Sequence, residues 1–160
     1  MSLVVATLIN NFSQLGPTVS TVNAASAMAA AYADYCRGAI TPAGGGLGPA
    51  SVAAGQAATE QALATLFATG TPASAATRMA TAFAAFWPPT VFLFSAPATG
   101  PGISAPPTGT SLLANQISIM APVPVASGAL IALCTAIDVM CRTVLVTFPG
   151  PGTPIISPVV

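Results

Sequence analysis

The sequence predicts an all-α protein, a small bundle of about five Ala-rich helices with extended Pro/Gly-rich arms. Three observations lead there. Apolar residues recur at helical spacing in several segments, most clearly Met79, Phe83, Phe86 and Trp87 at i, i+4, i+7 and i+8. Alanine is the commonest residue and gathers in those same segments, where it costs little side-chain entropy. Two stretches rich in Pro and Gly, 95–110 and 143–160, carry no charge and no helical period.

The first helix is expected from about Ser2, its capping residue, to Leu15, with Gly16-Pro17 as the stop. The second runs from Thr18 or Ser20 to Arg37, and Gly38 suits the position just past its end. Residues 39–50, AITPAGGGLGPA, read as a loop. Ser51 caps a third helix ending near Thr69-Gly70. Thr71-Pro72 opens the fourth, and Pro88-Pro89 ends it.

Thr90–Phe94 is a short β-prone run, and 95–110 is an extended arm. Residues 111–120 fit either helix or strand and are stopped by Pro122 and Pro124. Ser127 starts a fifth helix reaching Arg142. In the tail, Val144, Val146 and Phe148 alternate with Leu145 and Thr147, so it can add a strand to a neighbour's sheet or lie on its surface. The expected organisation is a four-helix domain over 1–94, an extended segment over 95–125, a fifth helix packing on that domain over 126–142, and a C-terminal arm over 143–160.

Charge constrains the surroundings more than the fold. The chain holds three basic residues (Arg37, Arg78, Arg142) and three acidic ones (Asp34, Glu60, Asp138), with no Lys and no His. Charged residues are 4% of the chain, where a soluble domain carries roughly 25%. A monomer of this mass exposes roughly 7,000 Å², on the order of 1,000 Å² per charge. Such a surface favours association. Two in-helix ion pairs are expected, Asp34 with Arg37 and Asp138 with Arg142.

The same deficit removes most chemistry. Three scattered arginines cannot supply the clustered cations that nucleic-acid binding needs. Without His, Ser–His–Asp and Cys–His catalysis are excluded. Gly44-Gly45-Gly46 has no Lys to complete a phosphate loop. Cys36, Cys134 and Cys141 form no C-x-x-C pair and read as buried thiols, although Cys36 can pair with either of the others. No enzyme activity, cofactor or metal is expected. The start of the chain does not read as a signal peptide. Val123–Phe148 is broken by Pro124, Asp138 and Arg142, so a membrane span is not expected.

The expected contact residues are the aromatic and β-branched ones: Phe83, Phe86, Trp87, Phe92, Phe94, Val144, Val146 and Phe148. A family likeness accompanies them. MSLVVATL, AYADYCRGAITP, ALATLFATG, MATAFAAFWPPTVF and AIDVMCRT follow one another before a Pro-rich tail. In that order of elements the chain resembles small Ala-rich virion structural proteins of tailed bacteriophages. The resemblance implies a virion subunit of a tail, baseplate, neck or capsid, packed against copies of itself and other virion proteins. Two other readings follow from composition: a membrane-associated subunit of a hydrophobic complex, from the mean hydropathy of +0.81, and a carrier of apolar ligands on the Phe83–Trp87 face.

Overall fold

A computed structural model describes residues 3–16, 20–69, 72–120 and 126–160. Among them the chain forms six helices and five strands. In order these are α1 (Val5–Ser13), α2 (Thr21–Cys36), β1 (Gly44–Leu47), α3 (Pro49–Thr69), α4 (Pro72–Ala84), β2 (Val91–Phe94), β3 (Gly102–Ser104), α5 (Thr110–Met120), α6 (Ala126–Cys141), β4 (Leu145–Phe148) and β5 (Ile155–Pro158). The expectation of an all-α bundle with extended arms is therefore wrong: the fold is mixed, with a five-stranded antiparallel sheet.

The sheet order β1-β2-β3-β4-β5 follows the chain. Helical hairpins α3–α4 and α5–α6 are inserted between β1 and β2 and between β3 and β4. An even number of helices returns the chain to the end of the sheet it left, so neighbouring strands run antiparallel. The helices pack on each other in chain order, and α6 returns to contact α1.

Segments read as loop or arm become strands. Part of the 39–50 loop is β1, the 95–110 arm contains β3, and the C-terminal arm supplies β4 and β5. The tail pairs inside its own chain, Val146 with Ser157 and Thr147 with Ile156. Past β5, the Val160 N–H donates to the Ile40 carbonyl at 3.0 Å and the Ile40 N–H returns to Val160 at 3.4 Å. Ile40 also bridges to Gly46 of β1. The two outer strands are thus joined through Ile40, which blunts the open edges that invite strand addition. The segment 111–120, open to both readings, is helical in α5.

Local signals fare unevenly. Ser20 caps α2, its hydroxyl accepting from the Asn23 N–H at 3.1 Å. Ser51 lies inside α3, which begins at Pro49, and clips the helix to β2: its hydroxyl donates to the Val91 carbonyl at 2.9 Å and accepts from the Val91 N–H at 3.1 Å. The expected roles of Ser2, Thr18, Thr71, Pro122 and Pro124 lie outside the described residues.

The main core joins the inner sheet face to the helices. Phe92, Val146 and Phe148 lie with Phe83, Phe86, Trp87 and Val144, all fully buried. Tyr32 meets Phe83 and Phe86 edge-on at 5.0 and 5.5 Å, and Phe86 meets Trp87 edge-on at 5.2 Å. A second, smaller cluster, Ala25, Ala29, Leu63, Leu66 and Ala82, holds α2, α3 and α4 together. Its alanines let the helix backbones approach closely, a use of Ala that periodicity alone does not reveal.

Candidate functional site

Two places concentrate chemistry or unpaired surface. The first is buried, where the C-terminal ends of α2 and α6 meet. The Trp87 Nε1–H donates to the Tyr32 hydroxyl at 3.2 Å, and that hydroxyl shares a hydrogen bond with Cys141 Sγ at 3.1 Å. One turn beyond Tyr32, Cys36 lies beside Cys141, and all three cysteines are free and buried. Alongside, the Tyr35 hydroxyl donates to Asp138 Oδ1 at 2.5 Å, while Arg142 Nε donates to Asp138 Oδ2 at 2.8 Å. Arg142 Nη2 also donates to the Leu3 carbonyl at 3.0 Å, tying the start of the chain to α6.

Burial favours the protonated forms of Cys36, Tyr32 and Tyr35 in this cluster. Burial first, and the neighbouring Cys141 second, push the Cys36 thiol well above its ordinary value. Burial, then Cys141 and Cys36, does the same to the Tyr32 phenol. Burial, then Cys141 and the hydrogen bond to Asp138, raises Tyr35. Burial alone pushes Cys134 up to about 11. The hydrogen bond to Asp138 raises Arg142 against the opposing effect of its partial burial. A thiol acts as nucleophile or metal ligand through its thiolate, the form that burial disfavours at Cys36 and Cys134. Among the described residues no three His, Cys, Asp or Glu side chains cluster as metal ligands would.

The ion pairs expected from spacing differ in setting. Asp138–Arg142 is half buried and bonded on both carboxylate oxygens. Asp34–Arg37 spans 3.8 Å on an exposed surface, where Asp34 also accepts from Asn11 Nδ2 at 3.0 Å.

The second place is the outward face of the sheet. Val91, Leu93, Ile103, Leu145 and Ile156 are 38–65% exposed. Register aligns Val91 with Ile103, Ile103 with Thr147, and Thr147 with Ile156, so an exposed row crosses β2 to β5. All six charges of the chain sit on helices or within a residue of a helix end; none lies on a strand. This is an uncharged, largely apolar surface, with Thr147 the polar member of the row.

The contact candidates chosen from sequence fall on the other side. Phe83, Phe86, Trp87, Phe92, Val144, Val146 and Phe148 are fully buried in the protein's own core; Phe94 alone of the eight is exposed. Apolar periodicity reports that a side chain is buried, not whether its own chain or another buries it. An alternation with a single apolar phase does not predict the outward residues. Leu145 beside Val146, and Leu93 beside Phe92, put apolar residues in both phases, and that is the sequence signal for a strand with two faces to cover.

Among the described residues no helix is long and apolar enough to cross a membrane. Comparison with protein-family models, with curated proteins and with solved structures gives no match.

Proposed function

We propose that this chain is a non-enzymatic structural subunit of a large multi-chain assembly, and that the assembly is the virion of a tailed bacteriophage, the class of particle whose small Ala-rich proteins its sequence resembles. The observation that carries the reading is the outward sheet face. Soluble monomers rarely leave contiguous apolar patches larger than a few hundred Å² open to water, and larger ones mark contact sites. The charge deficit supports it further: the chain exposes 7843 Å², about 1,300 Å² for each charge, a surface suited to being covered by neighbours.

The alternatives draw less support. The Phe83–Trp87 face that would carry an apolar ligand is filled by the protein's own core. A membrane-associated role would have to rest on surface contact, with no spanning helix among the described residues.

Mass spectrometry of purified particles from the source tests the proposal. The chain is expected at a fixed stoichiometry in the particle fraction. Recovery solely as a free, monodisperse protein, absent from every particle fraction, rules it out.

A further inference from the structure

We infer that the outward face of β2–β5 is the contact between two copies of this chain, packed sheet on sheet about a two-fold axis. The inference rests on the assembly reading and names the partner of that face.

Area is the first support. Five large apolar side chains, Val91, Leu93, Ile103, Leu145 and Ile156, stand 38–65% exposed on one face, a grouping of the kind that marks contact sites. Thr147, within the row, and Pro158, paired with Leu145, are exposed on the same face and extend it toward the roughly 800 Å² per partner of a stable interface. Outward-facing rows on twisted antiparallel sheets pack at about 10 Å, as in a β-sandwich.

Charge selects the occupant. Every charged group lies on the helical part of the molecule, and the strands carry none. A partner presenting Lys, Arg, Asp or Glu to this face would bury its charge without compensation. The required mate is an uncharged, apolar sheet face, and every copy of the chain brings one. A two-fold contact uses the same patch on both copies and therefore closes. Edge-to-edge pairing is a poorer route, because Ile40 already joins the outer strands through Val160 and Gly46.

The test is sedimentation equilibrium of the full chain over a range of concentrations, with Ile103→Lys and Ile156→Lys variants. The wild type is expected as a dimer. Each lysine, forced into a dry sheet interface, is expected to raise the dimer dissociation constant at least about tenfold. Near-UV circular dichroism and the emission of buried Trp87 report whether the fold is kept. If a lysine variant fails to fold, the double variant Ile103→Thr/Ile156→Thr keeps strand propensity and replaces it, with the same expected direction.

A wild type that is monomeric at every concentration overturns the inference. So does a folded variant with an unchanged dimer constant. A dimer lost instead in Val139→Lys, on the shallow α5–α6 groove lined by Leu112, Ala136 and Val139, assigns the contact to the helices and overturns it as well. The assembly reading fails independently. A dimer that dissociates in the variants but is never found in particles upholds the pairing and rejects the assembly. A chain found in particles, yet monomeric in solution and cross-linked through this face only to another protein, rejects the pairing and keeps the assembly.

Discussion

The indole N–H of Trp87 donates to the hydroxyl of Tyr32 at 3.2 Å, with both residues fully buried. With that lone pair occupied, the Tyr32 proton is free to point at Cys141 Sγ. Three parts of the chain, the turn after α4, the C-terminal part of α2 and the end of α6, therefore share one hydroxyl. Tyr32→Phe keeps the ring packing against Phe83 and Phe86 but leaves the indole donor buried and unpaired. The expected loss is about 1–3 kcal/mol. Urea unfolding followed by Trp87 fluorescence measures it, and a variant as stable as the wild type would show that the hydroxyl contributes nothing.

Asp138 receives Tyr35 on one oxygen and Arg142 on both. Its side chain is 13% exposed, against 43% for Arg142. Asp138→Ala strands the Tyr35 hydroxyl and the guanidinium together and should cost about 2–3 kcal/mol. Arg142→Ala removes a partly solvated partner and the Leu3 contact, and should cost about 1 kcal/mol. Thermal denaturation of both variants checks the order, and a larger loss for Arg142→Ala would contradict this picture.

Two glycines should respond oppositely to alanine. A Cβ on Gly102 would stand 2.5 Å from Phe148 Cε1 and 2.6 Å from Val146 Cγ1 on the inner sheet face. Gly102→Ala therefore overpacks the core and should destabilise by about 1–3 kcal/mol. At Gly128, in α6, a Cβ meets nothing within 4 Å among the described residues. Gly128→Ala should stabilise by up to about 1 kcal/mol through helix propensity. Denaturation midpoints of the two variants on either side of the wild type are the expected result.

Stability should fall in alkali. In the unfolded chain thiols ionise near 9 and phenols near 10, whereas burial holds Cys134 protonated up to about 11 and raises Cys36, Tyr32 and Tyr35 as well. Above pH 9 the unfolded chain therefore binds fewer protons than the folded one. Their contribution is intact below pH 9 and is lost as pH rises toward the folded values, each such group subtracting about 1.4 kcal/mol per pH unit. Unfolding free energies measured from pH 7 to 11 should be insensitive to these groups at first and then decline. In Cys134→Ala the decline between pH 9 and 11 should be shallower by one proton. An identical slope would mean that Cys134 ionises alike in both states.

Much of the helical layer was legible in the residues themselves. Pro72 opens α4, Ser20 caps α2, and Asp138 and Arg142 stand one turn apart at the end of α6, although α4 stops at Ala84, ahead of the Pro88-Pro89 stop expected for it. The buried cluster was only half legible. Cys36 and Cys141 read as buried thiols and Asp138 as a partner of Arg142, yet no local feature says that Tyr35 reaches Asp138 across the fold.

Composition and helical periodicity were enough to specify a charge-poor, Ala-rich helical chain without histidine chemistry, because these properties depend on residue type and near neighbours. The sheet, its closure through Ile40 and its two apolar faces were decided only by tertiary structure. Strands of three or four residues carry too short a pattern to declare themselves. Their partners, Gly44 with Phe94 and Ile103 with Thr147, lie across intervening helical hairpins. Pro and Gly at the turns look the same in a free arm and in a hairpin, and long-range backbone pairing alone distinguishes the two.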